Sequence, residues 1–335
     1  MTSQGAHRTL LPPGFVVRPV QPADLDAAVH LAQEHHLASG GAVPPTRSEV
    51  EADLTHPLLD RERDSWFVTG LDARPVLLGL AWCERPARVF LDLYVEPELD
   101  ALDHRLAAEV TSSIASRGVT RAREAAGEAG LTDALVETGM VRGDPLLADV
   151  FGALGFTNRR SWWHMSAPAH AISAARPTPP PGLRIERVDP EDEQVLRLAH
   201  ALEEETFADH YGNVPASYEM FRSEYRHAAG YDATAWWIAF DDATSEPAGL
   251  LVGDEGRVEL GAGHVDTLGV RAGYRGRGVA SALLRTAFAE YARRGRSSVS
   301  LEVDTRNETG AVALYERVGM RPVDVIDTWE LPLAP

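Results

Sequence analysis

The chain has 335 residues, 44% of them hydrophobic and 24% charged, a globular composition with length enough for two cores. A net charge of −18 argues against a nucleic-acid partner, because phosphate backbones draw Lys and Arg, and no apolar run approaches the roughly eighteen residues of a membrane helix. The single cysteine, Cys83, excludes an intrachain disulfide and a cysteine-rich metal site; no metal is expected.

In chain order, the segment Pro12 to Asp24 reads as a short strand followed by a proline and an acidic helix start. Val76 to Trp82 is an apolar run beside Cys83, which reads as a small hydrophobe. Phe90 to Val95 is strand-like and leads into a loop, Glu96 to His104, with four acids and no glycine. Arg176 to Gly182 is a stiff proline-rich linker, so domains at 1–175 and 183–335 are expected on either side of 176–182. Beyond it come a strand Leu183 to Arg187, a helix Glu193 to Glu205, a loop Phe207 to Pro215 and a helix Ser217 to Arg226. Trp236 to Phe240 and Glu246 to Gly253 read as a hairpin that feeds a strand at His264 to Val270. A glycine-rich turn, a helix ending at Arg293, a strand Ser298 to Val303 and a short helix Ala311 to Val318 complete the chain. Alternating strands separated by helices predict an α/β fold with a mixed sheet.

The turn is the most informative stretch. In Arg275-Gly276-Arg277-Gly278 the glycines permit positive φ and close approach to the backbone, the arginines offer charge-assisted hydrogen bonds, and a helix N-terminus follows. That pattern suits a phosphate group. An ordinary surface loop has the same composition, so the segment alone leaves both readings open.

Downstream residues extend the pattern. Arg275 to Ala280 followed by Asn307 and by Ala311, Leu314, Tyr315, Gly319 and Met320 resembles the GCN5-related N-acetyltransferase (GNAT) superfamily over about residues 183–332, with Met where the family carries Phe. The two-domain plan is similar to that of mycothiol synthase-like acetyltransferases. The halves also resemble each other: Pro12 to Asp24 aligns with Pro180 to Asp192, and Phe151 to Phe156 with Tyr315 to Met320. Two tandem GNAT-like domains follow from this. The first lacks the glycine loop and has Phe151 where the second has Tyr315, so it is expected to be degenerate and non-catalytic.

The resemblance implies acetyl-CoA as co-substrate, bound by Leu268, Gly269, Val270, Arg275, Gly276, Arg277, Gly278, Val279, Ala280 and Asn307, and Tyr315 as the acid that protonates the departing thiolate. The base is open. Strand alternation sets His264, Asp266 and Leu268 on one face, which makes Asp266 and His264 candidates; mycothiol synthase-like relatives carry an acid near His264. Glu302 and Asp304 read as exposed strand-end acids that either line the same cleft or cap and solubilise. Asp209, His210 and Tyr211 fall where such folds cover the acceptor. The expected activity is acyl transfer to a primary amine of a small molecule, in a ternary complex. A coenzyme A sensor without chemistry and an acyltransferase for a non-acetyl acyl group remain alternatives. No membrane partner is expected, the oligomer is a monomer or homodimer, and Met1 to Gly14 lacks a signal-peptide core, which points to the cytoplasm.

Overall fold

The computed structural model describes residues 10–83, 85–171, 178–189, 191–211, 213, 215–306 and 310–333. Twelve strands are described: β1 Val16–Arg18, β2 Ser65–Thr69, β3 Pro75–Trp82, β4 Arg88–Val95, β5 Ala134–Val141, β6 Thr157–Pro168, β7 Leu183–Arg187, β8 Trp237–Asp241, β9 Pro247–Asp254, β10 Ala262–Val270, β11 Ser298–Asp304 and β12 Arg321–Leu333. The α-helices are α1 Leu25–Ala38, α2 Arg47–Thr55, α3 Arg61–Asp64, α4 Pro97–Leu102, α5 His104–Glu128, α6 Pro145–Ala153, α7 Glu193–Phe207, α8 Tyr218–His227, α9 Val279–Arg293 and α10 Ala311–Arg317. The fold is mixed α/β, as the alternating patterns require.

Two compact units form, and neither is contiguous in sequence. Unit 1 takes in the described residues of Met1–Trp162 with Asp304–Arg306 and Asp324–Pro335; unit 2 takes in those of Trp163–Val303 and Asn307–Val323. A division at 176–182 would keep the C-terminal strand with the second half. Instead β12 pairs antiparallel with β5 of unit 1, from Ile326↔Val141 to Leu333↔Ala134, while β6 from Trp163 onward joins unit 2 beside β11. Arg176 and Pro177 of the expected linker lie outside the described residues.

Each unit repeats one plan. In unit 1 the strand order is β1-β2-β3-β4-β5-β12, and in unit 2 it is β7-β8-β9-β10-β11-β6. The first three pairings are antiparallel in both, and the fourth, β4 with β5 or β10 with β11, is parallel. A parallel pair needs a crossover, and α5 and α9 supply it. α9 buries Val279, Ala282, Leu283, Ala287, Phe288 and Tyr291 at helical spacing against β9 and β10, each large side chain stabilising by about 1.5–3 kcal/mol. α5 buries Val110, Ile114 and Val119 against β3 and β4 in the same way.

The acidic segment after β4, expected as a loop, contains the short helix α4. Pro97 preorganises its first turn, and the Glu96 side chain accepts the Glu98 N–H.

Candidate active site

In unit 2 the site begins where two strands part. Parallel pairing of β10 with β11 runs from Ala262↔Ser298 to Val265↔Leu301, whereas β10 continues beside β9 as far as Val270↔Gly249. The N–H of Arg271 donates to Ala248 of β9, so backbone alternation turns the groups of Leu268 and Val270 toward the edge that β11 has left. An extended arm could add there as a strand does. The carbonyl of Val270 is already held by Arg275 Nε at 3.2 Å, which an arm at this position would displace.

The same departure point carries a β-bulge. Val265 faces Gly253 and Thr267 faces Val252, leaving Asp266 as the extra residue. This corrects the expected alternation. Leu268 and Val270 pack with Val265 on the α9 core, while Thr267 turns to the opposite side with His264, so His264, Asp266 and Leu268 do not share a face. One inserted residue reverses the phase of everything after it.

At the strand's end, Gly276 and Gly278 have φ of +74° and +84°, conformations that side chains disfavour. The N–H groups from Gly276 through Ser281, Val279 and Ala280 included, have no hydrogen-bond partner among the described residues, and Gly278 caps α9 with no side chain. Such a run of bare donors at a helix N-terminus is an anion cradle. Arg277 reaches Asp241 at 3.4 Å and stacks over Tyr274 at 4.9 Å, so the loop is braced from outside. Asn307 lies outside the described residues.

Tyr315 on α10 is buried in the cluster that contains Val279, Val303, Leu268 and Val270. Burial pushes its phenol up to about 12, and its hydroxyl has no hydrogen-bond partner among the described residues. It is a protonated donor across the physiological range.

Three groups that the sequence did not single out converge on the bulge. Tyr225 Oη lies 2.9 Å from Glu203 Oε2 on α7, 3.0 Å from Asp266 Oδ2 and 3.3 Å from Thr267 Oγ1, and Thr267 also donates to Asp266 at 3.0 Å. A phenol has one proton and cannot satisfy two carboxylates at once. Burial first, and the facing Asp266 second, push Glu203 up to about 8; burial also raises Asp266. Asp266 is nevertheless exposed to solvent at the mouth of this cluster, so it does not belong to a closed core. Glu203 belongs to the run Glu203-Glu204-Glu205, which reads as a solvated helix face, and Tyr225 follows Phe221 at core spacing. Only the packing of α8, through Phe221 and Tyr225 against Trp236, brings the phenol inward.

His264 has a different setting. Its Nδ1 is 3.0 Å from Ser300 Oγ, and burial, then the Arg257 charge, then His164, hold it well below the usual histidine range. It is neutral and weakly basic. His164 on β6 meets Arg257 at 2.6 Å, and Arg257 also holds Glu302 at 3.3 Å. Asp304 is not exposed but buried, paired with Arg160 at 2.9 Å within unit 1. In the turn after α7, the His210 ring lies tilted against Phe207 with centroids 5.0 Å apart, and Phe207 lies under Gly269; Tyr211 is half-buried and Asp209 is exposed.

Unit 1 differs at the matching helix start. The Asp103 carboxylate accepts the Leu106 N–H at the first turn of α5, and His104 is 2.6 Å from Asp100. An anion would meet a carboxylate there. Among the described residues no helix is long and apolar enough to cross a membrane, and no cluster of His, Cys, Asp and Glu has the arrangement of a metal site.

Residues 197–320 match the model of the acetyltransferase (GNAT) family. Among curated proteins it is 31% identical over 198 residues to the mycothiol acetyltransferase of Beutenbergia cavernae, a match covering 56% of this chain and 64% of that relative. Its fold is that of a GCN5-related N-acetyltransferase from Sphaerobacter thermophilus, with a TM-score of 0.80 and 23% identity over 97% of this chain and 98% of that one. A tandem GNAT protein from the clavulanic acid biosynthesis pathway is also similar, with a TM-score of 0.67 and 18% identity over 96% and 99% of the two chains.

Proposed function

We propose that unit 2 transfers an acetyl group from acetyl-CoA to the primary amine of a small molecule by direct attack in a ternary complex. The observation that carries this reading is the unpaired N–H run from Gly276 to Ser281 at the end of the edge β10 exposes. In this assignment the coenzyme diphosphate sits on that run near Arg275 and Arg277, and the pantetheine arm follows Leu268 to Val270. The cationic acceptor enters the recess of Glu203, Tyr225 and Asp266.

Catalysis then needs three events. The acceptor ammonium loses a proton to ionised Glu203, whose position near 8 keeps it a usable base. The amine nitrogen attacks the thioester carbon, and the carbon–sulfur bond breaks. The thiolate takes the phenol proton of Tyr315, which is restored from the proton shed by nitrogen. Unit 1, with its helix start capped by Asp103 and with Phe151 in place of a phenol, contributes no second transfer site.

Incubation with acetyl-CoA and a panel of small amines, following free thiol, tests the proposal. Turnover that Arg275→Glu abolishes is expected. Coenzyme binding without thiol release for any amine would refute transfer, and full activity of Arg275→Glu would refute the placement of the diphosphate.

A further inference from the structure

The edge that β11 leaves on β10 is not open along its whole length. Pairing with β11 ends at Val265↔Leu301, and the Val270 carbonyl turns to the edge beyond, because the Arg271 N–H next to it is taken by Ala248 of β9. Arg275 Nε donates to that carbonyl at 3.2 Å. An arm that adds as a strand needs the carbonyl for one of its own N–H groups, and it needs the space that the side chain crosses.

The three arginines around the turn are held differently. Arg271 Nε is 2.8 Å from Glu205, and its Nη1 donates to the Pro247 carbonyl at 3.1 Å. Arg277 meets Asp241 at 3.4 Å and lies over the Tyr274 ring at 4.9 Å. Arg275 has no carboxylate partner among the described residues, in a chain with 50 Asp and Glu against 32 Lys and Arg. Its side chain is tied to Val270 alone. Its backbone is fixed on both sides: the Arg275 N–H donates to Ala272 at 3.3 Å, closing the turn Ala272–Tyr274, and Gly276 follows with φ of +74°. The side chain is exposed, so it can turn between staggered rotamers while the backbone stays in place.

A neutral carbonyl holds a guanidinium weakly. Phosphate oxygens form charge-assisted, two-pronged hydrogen bonds with it that are about twice as strong. The run of bare N–H groups begins at Gly276, the next residue, so a diphosphate seated there lies within reach of the same side chain. We propose that Arg275 is a latch on the arm site: it closes the β10 edge at Val270 until a diphosphate draws its guanidinium away. Capture of the diphosphate and release of the carbonyl are then one movement. The chain selects thioesters that carry a diphosphate over shorter pantetheine thioesters, and Arg275 sets that preference. The latch rests on the coenzyme placement given above and not on transfer itself.

Calorimetric titration of the full chain with acetyl-CoA and with S-acetyl-pantetheine, no amine present, provides the test. Arg275→Ala should bind acetyl-CoA more weakly by about tenfold or more and S-acetyl-pantetheine more tightly by about three- to tenfold, because the shorter ligand no longer has to break the bond to Val270. A residue that only holds the diphosphate cannot produce the second change. Arg277→Ala, which removes a cation held by Asp241 instead, should weaken acetyl-CoA and give no gain for S-acetyl-pantetheine. S-acetyl-pantetheine that binds Arg275→Ala no more tightly than the parent would overturn the latch. A parent that does not bind acetyl-CoA would overturn the latch and the coenzyme placement together. Opposite shifts for the two ligands, in a protein that releases thiol to no amine, would establish the latch and remove transfer alone.

Discussion

Units 1 and 2 share a strand order and a pattern of parallel and antiparallel pairing, yet their crossover helices begin in opposite ways. At α5 a carboxylate from Asp103 satisfies the first turn; at α9 the first turn and the loop before it are bare. The sheet depends on alternating apolar positions and survives this change. The anion cradle depends on which backbone donors go unsatisfied, and at α5 the Asp103 carboxylate already takes one of them.

The largest expected effect breaks the division into units. Removing residues 324–335 takes the whole β12 ladder from β5, together with the Glu330 partner of Arg88 and the Asp324 acceptor of the Ala42 and Val43 N–H groups. Unit 1 should unfold while unit 2 keeps its core, read as loss of hydrogen-exchange protection in β3, β4 and α5 with protection retained in α9. The milder Asp324→Ala should cost about 1–2 kcal/mol in denaturant unfolding, because the buried Asp324 carboxylate is the charged acceptor of the Ala42 and Val43 N–H groups.

The contrast between Tyr315 and Phe151 comes next. Tyr315→Phe makes the two units alike at this position and should lower kcat by about 10²-fold or more with little change in coenzyme affinity. Equal kcat for the variant and the parent would remove the phenol from the proton path.

The smallest effect concerns pH. With Glu203 near 8, kcat/KM should rise with pH and level off above about 8, and Glu203→Gln should lower the plateau and flatten the rise. The same shift has a stability consequence of definite sign. A carboxyl whose folded value lies above its unfolded value binds more protons when folded, so its contribution is present below about 4.5 and is lost as pH rises toward 8. Glu203→Gln should therefore melt higher than the parent at alkaline pH, with the difference fading in acid.

Much of this was legible in residues. The glycine loop, the first turn of α9 and the strand at Leu183–Arg187 follow from local chemistry that neighbours in sequence decide. Other features were not legible. The pairing of Tyr225 with Glu203 and Asp266 joins α8, α7 and β10, and nothing in the spacing of these residues marks it. The weak basicity of His264 comes from enclosure beside Arg257 and His164, which lie on other elements.

The sequence by itself determined the repeat, the alternation that makes a mixed sheet, and the bare turn before α9, because each is written in contiguous residues whose backbone preferences act over a few positions. Tertiary structure decided three other matters: that β12 completes unit 1, that a bulge at Asp266 reverses the strand's phase, and that Glu203 stands against Asp266. Strand partnership, register and burial are set by contacts between residues far apart in the chain, and no local pattern encodes which partner is chosen.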